Sequence, residues 1–202
     1  MQTELNYNMV FDAQQHFRLL LDGMSRPGKI NTFPLTDILP PAGFNEAAAL
    51  TSFALLNADV AFYIAGNNRD DIAGYLLVNT GSQKADISVA DYVFLPENNN
   101  AEGLEDLRVG NAIYPEDSAT LIAQAELISE QPFDGALTLI LRGPGVNGES
   151  TVFISGVSGR LLDLVSENNA EYPLGTDLII TDRDRRVLCI PRSNKFTYTK
   201  QH

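Results

Sequence analysis

Two neighbouring runs with no polar residue between their apolar ones constrain this chain most. Leu178-Ile179-Ile180 and Val187-Leu188-Cys189-Ile190 lie in the segments Asp177 to Thr181 and Arg186 to Ile190, separated by Asp182-Arg183-Asp184-Arg185. Short apolar runs joined by about four turn-forming residues predict a β-hairpin. Neither run alternates apolar with polar, so both faces of each strand need cover, as they have inside a layered α/β domain. Tyr172-Pro173 and Pro191 bracket the pair, because proline lacks the N–H that an interior strand donates.

The chain before the hairpin alternates helix and strand. Val10, Ala13, Phe17, Leu20, Leu21 and Met24 fall at helical spacing. They predict a helix from Asp12 to Met24 with that stripe buried, Asp12 as cap and Gln15 reaching back to it. Pro27 ends it, and Ser25-Arg26-Pro27-Gly28 makes the exit turn. Next come an expected strand over Asn31 to Leu35, an alanine-rich helix over Ala47 to Asn57 and a strand over Val60 to Ile64. A third helix is expected with Asn68 as cap and Asp70 and Asp71 in its first turn. Ile87 to Leu95 should contain strand, and Pro96 to Asp106 reads as an acidic surface stretch. Ala119 to Leu127 and Leu137 to Arg142 read as strands joined by a turn at Gln131 to Gly135. Thr151 to Ile154 is a further strand, and Val157 to Asn168 the last long helix. The expectation is one domain over residues 1–202, a three-layer α/β/α fold with a mixed sheet and helices on both faces.

Composition narrows the function. A net charge of -12 argues against a nucleic-acid partner, since phosphate backbones recruit basic surfaces. One cysteine excludes an internal disulfide and a cysteine-built zinc site. The start, MQTELNYNMVFDAQQ, has neither a basic segment nor an apolar stretch, so no signal peptide is expected. No apolar run approaches the roughly 18 residues of a spanning helix, so no membrane partner is expected and the cytoplasm is the expected compartment.

Residues with chemical potential are few. Gly143-Pro144-Gly145-Val146-Asn147-Gly148 matches the glycine pattern of dinucleotide sites. Such a loop must open a helix whose N-terminus holds phosphate, whereas Glu149 to Ile154 prefers strand, so a turn between strands is expected. His16, the one histidine besides His202, falls off the apolar stripe and is expected on the solvated face. Lys29, Lys84, Lys195 and Lys200 show no pattern that marks a Schiff-base lysine. Cys189, mid-strand, should be a buried inert thiol. Arg183, Arg185 and Arg186 read as a solvated hairpin tip, or as a docking point for an acidic partner. No catalytic, cofactor-binding or metal-ligating residue is assigned.

Four stretches carry a family resemblance. They are Phe17 to Gly28 (FRLLLDGMSRPG); Gly110 and Pro115 to Ile122 (PEDSATLI); Leu141 to Val146 (LRGPGV); and Tyr172 to Asp177 (YPLGTD) with Ile190-Pro191-Arg192. In order and spacing they resemble PhnH, the H subunit of the bacterial carbon–phosphorus lyase core complex, from about Phe11 to Ser193. Gly23 and Ser118 depart slightly, standing where alanine and glycine are commoner. The resemblance implies a fold like the main domain of pyridoxal-phosphate transferases without the cofactor. It further implies assembly with the G, I and J subunits, and a homodimer when isolated. That assembly joins a phosphonate to a nucleotide ribose and later breaks the carbon–phosphorus bond, chemistry attributed to the I and J subunits. The expected role is therefore an accessory subunit. Two other readings stay open: a stand-alone enzyme with Gly143 to Gly148 as anion loop, and a small-anion binder at Arg26-Pro27-Gly28-Lys29.

Overall fold

The computed structural model describes residues 7–66, 69–96 and 102–200. The expected cap at Asn68 and part of the Pro96 to Asp106 stretch lie outside them, as does His202. In chain order the elements are α1 (Phe11–Ser25), β1 (Ile30–Thr32), α2 (Glu46–Leu55), β2 (Ala61–Ile64), α3 (Arg69–Thr80), β3 (Gln83–Lys84), β4 (Tyr92–Leu95) and β5 (Thr120–Gln124). Then come β6 (Leu127–Ser129), β7 (Leu137–Arg142), β8 (Ser150–Ser155), α4 (Gly159–Asn168), β9 (Asp177–Thr181), β10 (Arg186–Ile190) and β11 (Lys195–Lys200). No helix among the described residues is long and apolar enough to cross a membrane.

The β9–β10 hairpin forms where the sequence predicts it, with Leu188 opposite Ile180 and Cys189 opposite Ile179. It lies inside a seven-stranded mixed sheet of order β1-β10-β9-β5-β4-β2-β3. Strands β3, β2, β4, β5 and β9 run parallel, β10 pairs antiparallel with β9, and β1 pairs antiparallel with β10 and so runs with the first five. Side chains alternate across a strand, so the unbroken apolar runs supply two cores at once. Ile179, Val187 and Cys189 join the cluster under α1, α2 and α3. Leu178, Ile180, Leu188 and Ile190 join the other cluster.

The far layer differs from the expectation of helices on both faces. There α4, through Leu161, Leu162 and Val165, shares the core with a second, antiparallel sheet of order β11-β7-β8-β6. The runs around 119–127 and 137–142 therefore do not form a hairpin. Strand β5 enters the large sheet, while β6 and β7 enter the small one with β8 between them. Strand β11 adds to the expected elements; in it Phe196 and Tyr198 alternate with Lys195, Thr197 and Thr199.

Helix α1 is turned relative to its predicted face. His16, Leu20 and Gly23 are buried, whereas Phe17 is 45% and Leu21 57% exposed. Leu20 of the predicted stripe is buried, but His16 and Gly23 share its face in place of Phe17 and Leu21, so the buried face is turned away from the predicted one. Gly23 explains the choice: its α-carbon lies over Cys189, and a Cβ there would already stand 3.0 Å from Sγ. The helix approaches β10 on its smallest residue and leaves larger apolar ones outside. Its N-terminus is held by Asn8, whose Oδ1 accepts from the Val10 and Phe11 amides, while Asp12 Oδ2 accepts from the Asn8 amide.

Candidate functional site

The four family stretches, far apart in sequence, meet in one seam. The exit of α1 packs against the loop between β7 and β8. Gly145, at φ +81°, has its α-carbon against the Ser25 carbonyl and the Pro27 ring, and Gly28, at φ +91°, faces Ser150 and Leu141. A side chain at either position would collide. Asn194 carries the seam onward, donating from Nδ2 to the Pro144 carbonyl at 3.1 Å while its amide donates to the Pro191 carbonyl at 2.9 Å. Arg192 completes it. Its Nη2 lies 2.9 Å from Asp177 Oδ2, its amide donates to Asp177 Oδ1 at 2.8 Å, and its Nη1 donates to the Pro115 carbonyl at 2.7 Å. The Gly175 amide donates to the carbonyl of Val109, next to Gly110, at 2.9 Å and so ties the fourth stretch to the second again. The proline-flanked wording of these stretches hinted at turns, but nothing local signalled that Arg192 would clamp Asp177 and Pro115.

Along this seam the charged groups answer one another. Arg26 and Lys29, one of the two anion-site candidates, both bind the Asp22 carboxylate, with Lys29 Nζ 2.7 Å from Oδ2. Asn31 Nδ2 donates to the same oxygen at 3.0 Å. An incoming anion would have to compete with a carboxylate already in place. The glycine loop is likewise occupied. It joins two antiparallel strands, so β8 stands immediately after it where a dinucleotide cradle needs a helix. Its amide at Val146 closes the loop's own turn onto the Gly143 carbonyl at 3.1 Å, and Gly143 abuts Asn194. A strand in the place of that helix goes against the anion-loop enzyme.

The remaining candidates are also accounted for. His16 is a correction: it is buried, not solvated, because of the turned α1. Its Nδ1 is 2.8 Å from the Tyr7 hydroxyl, and its ring meets Phe33 edge-on. Burial lowers its pKa, with Asp12 and Glu46 opposing the shift. At the hairpin tip Arg185 donates from Nε to the Phe33 carbonyl at 3.3 Å and Arg186 from Nη1 to the Ile128 carbonyl at 2.7 Å. Two of the three tip arginines are thus drawn inward, and only Arg183 of the three is exposed. Asp182, fully buried, receives the amides of Ile128, Asp184 and Arg186, while burial raises its carboxyl pKa. Cys189 is buried, and desolvation pushes its thiol up to about 12. Lys84 faces Asp70, and Lys195 donates to the Asn169 carbonyl. Two hydroxyls of the family stretches, Ser118 Oγ and Thr176 Oγ1, are buried without a partner among the described residues.

The fold and this seam define a mixed α/β protein whose most distinctive residues join elements to one another. Among the described residues no three histidine, cysteine or carboxylate side chains gather as metal ligands would. The chain belongs to the PhnH family of bacterial phosphonate metabolism proteins, whose model matches residues 6–197. It is 30% identical over 188 residues to the alpha-D-ribose 1-methylphosphonate 5-triphosphate synthase subunit PhnH of Rhizobium meliloti (strain 1021), covering 92% of this chain and 90% of that one. It is 28% identical over 189 residues to the putative C-P lyase subunit protein HtxG of Stutzerimonas stutzeri, covering 94% of this chain and 88% of that one.

Proposed function

We propose that this chain is a non-catalytic accessory subunit of a carbon–phosphorus lyase core complex, acting where a phosphonate is coupled to a nucleotide ribose before the carbon–phosphorus bond is cleaved. One observation carries the reading. The stretches that place the chain in its family are spent on internal joints, Gly145 on Ser25 and Pro27, and Arg192 on Asp177 and Pro115. Catalytic groups instead stand in reach of a substrate with a partner to activate them. Matches along nearly the full length to two proteins named as subunits support the same view.

On this reading the chain is a single domain across its length and assembles with the G, I and J subunits. In isolation it forms a homodimer, and its compartment is the cytoplasm. Its fold resembles the main domain of pyridoxal-phosphate transferases with no cofactor. The engaged Lys84 and Lys195 side chains, and Lys29 on Asp22, support that last point.

The test is purification by affinity tag from cells grown on a phosphonate as sole phosphorus source, with identification of the proteins that accompany the chain. The expected result is a stable set of partner subunits that survives gel filtration, and no turnover of phosphonate or nucleotide by the chain alone. Turnover by the isolated chain, or normal phosphonate use by cells lacking it, would overturn the proposal.

A further inference from the structure

The helical layer stops short of one end of the large sheet. Tyr92, Thr120 and Asp177 begin β4, β5 and β9, and they stand side by side in register across the three parallel strands. All three are half-buried. On one side of this row lies an apolar groove of about 130 Å³, walled by Phe17, Leu21 and Met24 of α1 and by Leu55 at the end of α2, with Tyr92 and Thr120 as its floor. On the other side lies a depression of about 310 Å³ walled by Pro115, Glu116, Tyr172, Pro173, Asp177 and Arg192. The first meets the row at Tyr92 and Thr120 and the second at Asp177, the partner of Thr120 in register, so the two lie side by side as one trough. Tyr172, 65% exposed, stands at its far end.

The trough has the chemistry of an unfilled protein interface. It presents large apolar and aromatic groups that a monomer normally covers. The prolines at 115, 173 and 191 hold its walls in fixed conformations, so little order is lost on docking. Its charge has a sign. Arg192 is neutralised by Asp177, whereas the exposed carboxylates Glu116 and Glu171 make no ion pair among the described residues. A second copy of this chain would bring the same carboxylates, and a net charge of -12, against them.

We infer that the trough from Leu21 to Tyr172 is the surface by which this chain docks a different subunit, and that the occupant is a segment with apolar side chains flanked by lysine or arginine. This inference rests on the accessory-subunit reading and adds to it the surface and the chemistry of the partner. Aromatic anchors set in apolar pockets dominate interface energies, so Tyr172 and Phe17 carry the contact, with Leu21 lining the groove beside Phe17. Glu116 and Glu171 set its salt dependence and choice of partner.

The experiment uses the full chain co-expressed with the tagged partner subunits that the affinity purification identifies. Leu21→Asp, Tyr172→Asp and the double change Glu116→Lys with Glu171→Lys are compared with Leu35→Asp, an exposed site in the loop beyond β1 and outside the trough. All positions are exposed, and thermal melting confirms that each variant folds. The first three should weaken co-purification about tenfold or more, and Leu35→Asp should not. Added salt should weaken the wild-type complex more than the doubly reversed variant. If the wild type brings no partner, the subunit reading fails and this inference with it. If the wild type and all variants bring partners equally, the subunit reading stands and the trough is excluded. If Leu21→Asp splits a homodimer yet leaves the complex intact, the occupant is a second copy and the inference is overturned.

Discussion

The Tyr7 hydroxyl lies 2.8 Å from Nδ1 of His16, inside a ring of aromatic side chains formed by Phe33 and Phe53. Burial holds the Tyr7 phenol well above its ordinary pKa, so it keeps its proton and is able to donate to the imidazole. With the phenol donating to Nδ1, neutral His16 carries its own proton on Nε2. A protonated His16 would have to donate at both nitrogens and could no longer accept from Tyr7.

This pair sets a pH dependence of known sign. The folded pKa of His16 is below its ordinary 6.5, so the unfolded chain takes up the proton more readily. The stability held by neutral His16 is complete above about pH 6.5 and is lost as pH falls from there through the folded pKa. Thermal melts at about pH 7.5 and about pH 5.5 should show a larger fall for the wild type than for His16→Gln. Equal falls would mean that unfolding moves no proton at His16.

The hairpin predicts a silent thiol in an unforgiving core. An aromatic disulfide reagent should label Cys189 slowly in native protein and quickly in denaturant, because the thiol is buried and protonated at neutral pH. Leu188→Ala and Ile180→Ala, both fully buried, should each cost about 2–5 kcal/mol in denaturant titrations. Labelling at the same rate in both states would contradict the two-sided core.

Gly145 tests the seam against the anion loop. Gly145→Ala imposes about 1–2 kcal/mol from its left-handed backbone alone, and it adds a collision with the Ser25 carbonyl. The melting temperature should drop clearly. Calorimetry should show no saturable nucleotide binding in the wild type or the variant. A defined wild-type affinity that the change abolishes would restore the loop as a binding site.

Thr51 and Thr176 each bury a hydroxyl without a partner among the described residues. Valine has the same shape and no such group. Thr51→Val and Thr176→Val should therefore leave stability unchanged or raise it by about 1 kcal/mol each, read from denaturant midpoints. A loss of similar size at both sites would show that each hydroxyl holds an ordered water.

By itself the sequence determined the central strands, the helices near their observed ends and the role of the Gly143 to Gly148 turn. Their causes are local: apolar runs, helical spacing, proline stops and the strand preference of Glu149 to Ile154. It also carried the family, because the four stretches keep their order and spacing. Tertiary structure alone decided which face of α1 is buried. The apolar stripe of Phe17 and Leu21 is the stronger local signal, yet Gly23 permits a closer approach to Cys189, and that contact sets the rotation and buries His16. Only the fold could show that strands β6, β7, β8 and β11 form a separate sheet, since pairing depends on partners dozens of residues away. The seam has the same origin. Arg192, Asp177 and Pro115 have no reason to meet until two sheet strands and a loop are in place, because a salt bridge is a property of positions in space and the sequence records only positions along the chain.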